Sequence, residues 1–227
     1  MNEKNSWHSL FPNAVANHRL FEIYFEKLTR KFQVDPQKII PAYSLCPDEL
    51  NQEVIQLIHR YFGLSFALGG LAGYPFSGET GFNAFGDHIP DGGDAFIFFG
   101  PHLAVGAERF GYIRRRGQSR DTLSCGAALG VYRSLQNGDK ATFSEDDYQC
   151  NRIRAMLDRA LDENSTQSSE LQVIDIIFKE SSDFIQKQAR RIKEKFAVQR
   201  IFLLGGLVLN TPVDQSDYID VRLSKVI

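Results

Sequence analysis

The sequence predicts an α/β fold in which helices flank a mainly parallel β-sheet. Short apolar segments typical of buried strands alternate with longer segments in which apolar residues recur at helical spacing. Strands that alternate with helices favour a parallel sheet. The sequence shows no internal repeat and no convincing domain boundary. We therefore expect a single domain over residues 1–227, with residues 1–35 as an N-terminal helical arm.

The first half of the chain is divided by a helix-breaking dipeptide and by a glycine-rich segment. Asp35-Pro36 ends the first helix, because the residue before a proline is biased away from helical geometry. Residues 73–93 contain two prolines among many glycines, so this segment is predicted to be mostly loop. The elements predicted in order are a helix over 13–33, a strand over 38–45, a helix over 49–61, this loop and a strand over 95–99.

The second half of the chain also alternates between helices and strands. Residues 171–178 fit a helix and a strand equally well. Residues 162–169 are a polar low-complexity stretch and are predicted to form a surface loop. The other predicted elements are a strand or hairpin arm over 110–116, a helix that opens at Cys125, helices over 144–161 and 181–196, and strands over 201–209 and 218–223.

Composition and charge argue against several classes of protein. The 227 residues include 26 basic and 28 acidic side chains, giving a net charge of −2, and lack the basic face of a nucleic-acid binder. No apolar run reaches the roughly 18 residues that span a bilayer, and the N-terminus lacks the pattern of a secretory signal. We therefore expect a cytoplasmic protein that binds neither nucleic acid nor membranes.

Cysteine and glycine provide the first functional signals. Three cysteines cannot all pair within one chain, and in a reducing compartment they are thiols or metal ligands rather than a disulfide framework. Of the 18 glycines, 15 lie between Gly63 and Gly130, interleaved with apolar residues. Such clustering indicates tight turns and close backbone approach, so this segment is a candidate functional site.

Ligand-type side chains follow the predicted strands at their carboxyl ends. Cys46 and Asp48 follow the first strand, and His102 follows the phenylalanine-rich strand. Cys125 opens a helix, where the helix dipole favours a thiolate. Ligands of α/β sheets bind at this edge, and thiolates with an imidazole suit Zn²⁺. Three protein ligands leave a fourth position for water, which is typical of a catalytic zinc site.

Spacing alone leaves other interpretations of these residues open. Cys46 and Cys125 could be small buried hydrophobic residues. His88, in the loop-like segment DHIPDGG, is an alternative to His102 as the ligand and could instead relay protons. The RRRGQSR segment is either a solvated basic turn or an anion site. Cys150 matches no ligand position.

The order of these motifs resembles that of the β-class carbonic anhydrases. Those enzymes carry C-x-D-x-R after the first strand and a histidine and a second cysteine later, and the two cysteines and the histidine hold zinc. The phrases AYSLCPDELN, FFGPHLAVG, SCGAA and GGLVLNTP are more closely similar to the limiting-CO2-inducible (LCIB-type, θ-class) group of β-carbonic-anhydrase-like proteins.

The resemblance implies a role for each of these side chains. The zinc ligands that it implies are Cys46, His102 and Cys125. Asp48 would orient the reactive water or take the fourth coordination position in a closed state. Leu50 stands where ordinary β-class enzymes have the arginine that pairs with the aspartate. We expect Arg115 to replace that arginine, with its two adjacent arginines as alternatives.

The resemblance also implies an activity, namely reversible hydration of CO2 to bicarbonate by zinc-bound hydroxide in a homodimer. Two alternatives stay open. The first is a catalytically inactive zinc protein of the same fold that binds CO2 or bicarbonate or scaffolds a partner, and the second is a zinc hydrolase of another small substrate. The aromatic residues predicted to wall a dry pocket are Tyr74, Phe76, Phe82 and Phe85.

Overall fold

The computed structural model of the protein describes residues 7–105, 109–139, 143–161 and 169–227. Its strands are β1 (Val15–Ala16), β2 (Ile39–Ser44), β3 (Phe66–Ala67), β4 (Asp94–Phe99), β5 (His102–Ala104), β6 (Tyr112–Ile113), β7 (Thr122–Leu123), β8 (Arg200–Asn210) and β9 (Tyr218–Val226). Its helices are α1 (Trp7–Leu10), α2 (Asn17–Glu26), α3 (Gln52–Phe62), α4 (Gly78–Asp87), α5 (Gly126–Gln136), α6 (Tyr148–Ala160) and α7 (Glu170–Lys195). A π-helical turn over Lys27–Lys31 continues α2, and short 3-10 turns span Glu49–Asn51, Leu71–Gly73 and Glu145–Asp147.

Seven of these strands form one sheet whose centre is parallel. The strand order is β1-β9-β8-β4-β2-β3, and β5 pairs with β8 beside this path. The pairs among β2, β3, β4, β5 and β8 are parallel, whereas β9 pairs antiparallel with β8 and with β1. β6 and β7 form a separate antiparallel hairpin. The predicted α/β fold with a mainly parallel sheet is confirmed.

Helices cover both faces of the sheet. Phe96 and Phe98 of β4 belong to a buried cluster that includes α2 and α3, whereas Ile97 and Phe99 belong to a second cluster with α4 and α7. This alternation follows from the period of two residues in a strand, and it explains why the central strands are apolar on both sides. A third cluster joins α5, α6 and the start of α7 to β5 and β8.

The helix predicted over 13–33 corresponds to α2 and the π-helical turn, and it packs on the sheet. The ring centroids of Phe21 and Phe98 are 5.2 Å apart, and those of Tyr24 and Phe96 are 5.4 Å apart. The apolar face of this helix is therefore buried within the chain.

The glycine-rich segment contains a helix that the sequence did not predict. The prediction of loop over 73–93 is wrong for α4, because Phe82 and Phe85 lie one turn apart and are almost fully buried. Residues 171–178, which fit a helix and a strand equally well in sequence, form the first part of α7. The surface loop predicted over 162–169 lies outside the described residues except for its last one.

A buried ion pair links the amino ends of β4 and β8. Arg200 donates to both carboxylate oxygens of Asp94, at 2.9 and 2.7 Å, and also to the carbonyl oxygen of Phe32 at 2.6 Å. The side chain of Asp94 is 4% exposed. Removal of one partner leaves the other charge partly buried and unpaired, which is costly.

We expect Asp94→Ala to lower the free energy of unfolding by about 3 kcal/mol, as measured by urea denaturation. Glu79→Ala is the matched control, because Glu79 pairs with Arg191 on the surface, where ion pairs contribute little. Equal midpoints for the Asp94→Ala and Glu79→Ala proteins would contradict this account of the buried pair.

Candidate metal centre

The parallel register places the ends of β2 and β4 side by side. Ser44, the last residue of β2, pairs with Phe99, the last residue of β4. Cys46 follows the first of these ends, and His102 follows the second and begins β5. Cys125 is the N-cap residue of α5. Three segments that are distant in sequence therefore meet at the carboxyl edge of the sheet, where α/β proteins bind ligands.

Cys46, His102 and Cys125 form a compact buried group. One ligand atom from each lies within 4.8 Å of the others, and the two sulfurs are 3.8 Å apart. Their exposed fractions are 5%, 0% and 0%. Asp48 and His88 are not members of this group.

Close contacts of the glycine-rich segment hold the turn beside Cys46. The Ser44 hydroxyl donates to the carbonyl oxygen of Gly73 at 2.8 Å, and the Asn51 amide donates to the carbonyl oxygen of Cys46 at 3.0 Å. Gly73 has a φ of +76°, and an added Cβ there would lie 2.4 Å from the carbonyl oxygen of Gly100. This position thus needs glycine for its conformation and for the close approach of the backbones.

Within the ranges that the structure describes, only one of the two ring nitrogens of His102 is used in a hydrogen bond, and the other is left without a partner beside the two sulfurs. Nδ1 lies 2.8 Å from Oδ1 of Asn210, and because this oxygen only accepts, Nδ1 carries the proton. Nε2 is buried and has no hydrogen-bond partner among the described residues. A buried, unpartnered ring nitrogen beside two thiols is the arrangement that a metal ligand requires.

The two thiols share a hydrogen bond that drives their pKa values apart. The bond from Cys125 lowers the pKa of Cys46, and the same bond, together with burial, raises the pKa of Cys125. Burial opposes protonation of His102, but the adjacent Cys46 thiolate outweighs it and raises the pKa of His102. The pKa of each of these three groups therefore depends on the charge of its neighbours.

These donors fit a zinc ion. In a tetrahedral site with Zn–S bonds of about 2.3 Å, two sulfurs lie about 3.8 Å apart, and the sulfurs of Cys46 and Cys125 are separated by 3.8 Å. The set of two thiolates and one imidazole is typical of Zn²⁺, and three protein ligands leave one position open. In number, type and spacing, the residues thus fit a metal site with one open position.

Asp48 lies next to this group and is held by an arginine from the β6–β7 hairpin. Its Oδ2 is 3.8 Å from Nε2 of His102 and accepts a hydrogen bond from Nη2 of Arg115 at 2.9 Å. Its Oδ1 accepts from the backbone N–H of Leu50 at 3.2 Å. Burial raises the pKa of Asp48, while His102 and Arg115 act in the opposite direction.

Arg115 is itself fixed by several partners. It donates to Glu49, to the Thr122 hydroxyl and to the carbonyl oxygen of Leu123 at 3.1 Å. This arginine also lines a cavity of about 650 Å³. The residues that line the cavity are Glu49, Leu50, Glu53, Ile113, Arg114, Arg115, Arg116, Gln118, Thr211, Pro212, Val213, Gln215 and Asp217. Arg115 thus both lines the cavity and contacts the Asp48 carboxylate.

Some of the residues predicted for the site lie elsewhere. His88 follows the last residue of α4, shortly before β4 begins, and its ring contacts Phe66 with centroids 5.6 Å apart. Among the described residues, no side-chain hydrogen bond joins His88 to the three ligands. Of the four aromatic residues predicted to wall a pocket, Tyr74 and Phe76 pack in the cluster that contains the two cysteines. Phe82 and Phe85 pack in a different cluster, against α7.

The sequence analysis missed two polar residues of the site. Asn210, the last residue of β8, contacts His102, and Asp217 contacts Asn210. Asn210 lies within the phrase GGLVLNTP, which was noted only as a family-like motif. The available signal was a polar residue directly after the apolar strand predicted over 201–209.

Fold and site together define a β-carbonic-anhydrase-like protein with a Cys-His-Cys site that can hold a metal ion. The family model described as limiting CO2-inducible proteins B/C, β-carbonic anhydrases, matches residues 15–227. The chain belongs to this family, as the sequence resemblance predicted.

Solved structures agree with this membership. A mutant of PtLCIB4, a homolog of the limiting CO2-inducible protein LCIB, is 28% identical with a TM-score of 0.87, over 97% of this chain and 92% of that one. PtLCIB4 itself is 29% identical with a TM-score of 0.81, over 97% and 93%. LCIB is 18% identical with a TM-score of 0.72, over 96% of both chains, and its likeness shows the fold. No curated protein sequence gives a significant match.

Proposed function

We propose that the protein catalyses the reversible hydration of CO2 to bicarbonate with a zinc ion held by Cys46, His102 and Cys125. The observation that carries this proposal is the meeting of three buried ligand atoms within 4.8 Å, beside a carboxylate that an arginine holds. Zinc bound at such a site would supply Lewis acidity, which lowers the pKa of a bound water towards about 7.

The chain's own residues would orient the reactants. Oδ2 of Asp48 faces the ring nitrogen of His102 and can accept a hydrogen bond from the reactive oxygen, which would align its lone pair towards the substrate carbon. Arg115 stabilises the ionised form of Asp48 by a charge-assisted hydrogen bond. The apolar cluster around the two cysteines, which includes Ala72 and Tyr74, shields the cysteine side chains from bulk solvent.

Stopped-flow CO2 hydration tests the proposal. The zinc-loaded protein is expected to hydrate CO2 with a kcat/KM of at least about 10⁴ M⁻¹ s⁻¹. The rate is expected to vanish when a chelator removes the metal and to return when zinc is restored. A protein that holds one zinc ion per chain and shows no rate above buffer would reject catalysis and identify a non-catalytic zinc protein of this fold.

The remaining parts of the proposal concern the setting of the protein. Within the part of the chain that the structure describes, no helix is both long and apolar enough to cross a membrane. A cytoplasmic location and a homodimer stay predictions of the sequence analysis. CO2 and bicarbonate as small-molecule partners belong to the proposed activity and are tested with it.

A further inference from the structure

A chain of buried hydrogen bonds leads from Asp217 through Asn210 to the ring of His102. Nδ2 of Asn210 donates to Oδ2 of Asp217 at 3.0 Å, and Oδ1 of Asn210 accepts from Nδ1 of His102 at 2.8 Å. Asp217 is held in turn by the backbone N–H of Thr211 at 2.7 Å. Asn210 is 1% exposed and His102 is fully buried, so the bond between them is shielded from solvent, whereas the bond to Asp217 is part-buried.

The orientation of the Asn210 amide follows from its two acceptors. Its nitrogen faces the Asp217 carboxylate and, at 3.2 Å, the carbonyl oxygen of Leu50. Both partners only accept, so the amide oxygen must face His102. The Ser124 hydroxyl lies 3.4 Å from the same oxygen and supports this orientation.

We propose that Asn210, oriented by Asp217, is the positioning residue that sets the tautomer and ring angle of His102 for metal binding. An acceptor at Nδ1 keeps the proton on that nitrogen and leaves the lone pair of Nε2 directed at the site. The proposal rests on the zinc site proposed above and assigns a role to two residues outside the ligand set.

The same amide connects the histidine to the turn that carries Asp48. The carbonyl oxygen of Leu50 accepts from Asn210, while the N–H of Leu50 donates to Asp48. Asn210 therefore contacts both the ligand ring and the segment that presents the carboxylate. Loss of the Asn210 side chain is expected to lower metal affinity more than it disturbs Asp48, because Asn210 contacts the metal ligand His102 directly.

Zinc affinity in competition with a chromophoric chelator tests the proposal without reference to activity. Asn210→Leu is expected to weaken zinc binding by about 10- to 100-fold. In ¹⁵N-labelled, zinc-loaded protein, the Nδ1–H proton signal of His102 is expected to lose its protection from solvent exchange in this variant. Asp217→Asn keeps an acceptor for the Asn210 amide and is expected to bind zinc within about threefold of the wild type.

Gln188→Leu is the matched control, because it removes another buried amide, on α7, and is expected to leave zinc affinity unchanged. Equal zinc affinity and an unchanged Nδ1–H signal in Asn210→Leu would overturn the proposal. If Asn210→Leu does not fold, Asp217→Ala takes its place, and unchanged values there would overturn it equally. A wild-type protein that binds no zinc would instead overturn the proposed function.

Discussion

The Cys125→Ser variant is expected to lose stoichiometric zinc and to hydrate CO2 no faster than buffer. Cys125 is fully buried, and its sulfur lies 3.8 Å from that of Cys46. Serine has nearly the same shape, but its hydroxyl stays neutral and is a much weaker zinc ligand than a thiolate. The change therefore removes one ligand of three while it preserves the packing at the start of α5.

Cys150→Ser is the matched control for this experiment. Cys150 lies on α6, is half-buried and is not a member of the ligand group, so its replacement is expected to leave both zinc content and rate unchanged. Metal analysis by mass spectrometry and thermal denaturation of both variants separate loss of zinc from loss of fold. One zinc ion per chain in folded Cys125→Ser would contradict the proposed ligand set.

The central strands could be predicted from the sequence because each one is encoded by a local run of apolar residues. β2, β4 and β8 are mainly apolar runs with polar residues or glycine at their ends, and parallel strands buried on both faces need such runs. The prediction failed at α4, where glycine and proline resemble loop composition. Gly86 is needed there because an added Cβ would lie 2.6 Å from the Phe196 ring. Tertiary packing thus overrides the low helix propensity of glycine.

The candidate site was only partly predictable, because its parts come from distant segments. Cys46, Asp48 and His102 could be placed from strand ends, which depend on neighbouring sequence alone. The contact of Asn210 with His102 depends on the pairing of β5 with β8, and no local pattern encodes that register. His88 shows the converse, since carboxylates on either side of a histidine in sequence do not bring it into the ligand group.

The choice among the three consecutive arginines also required the structure. Arg115 reaches Asp48 and is 17% exposed, whereas Arg114 pairs with Asp121 on the surface and is 64% exposed. Both arginines follow the end of β6, and their side chains have different partners: Arg115 donates to Asp48, and Arg114 donates to Asp121. The sequence limited the candidates for the partner of Asp48 to three consecutive arginines. The structure shows that Arg115 is the one that contacts Asp48.

Arg115→Ala is expected to lower kcat/KM for CO2 hydration by about 10²- to 10³-fold while zinc content stays at the wild-type level. The arginine does not belong to the ligand group, so the metal should remain. Its loss leaves the half-buried Asp48 carboxylate without its hydrogen bond from Nη2, so that its orientation beside His102 is no longer held. Asp48→Asn is expected to give a loss of similar size, because the neutral amide cannot replace an ionised acceptor.

Arg114→Ala is the control that the chain itself offers, since it removes the same charge one residue away and leaves Asp48 untouched. Its rate is expected to stay within about twofold of the wild type, because an exposed ion pair contributes little.

The double variant Arg115→Ala/Asp48→Asn distinguishes a shared role of the two residues from two independent roles. If Arg115 acts through Asp48, the double variant should be no slower than Asp48→Asn alone. In that variant the ionised Asp48 carboxylate is already gone, so removal of Arg115 costs nothing further. Losses that multiply would show that Arg115 acts on the reaction by a route of its own.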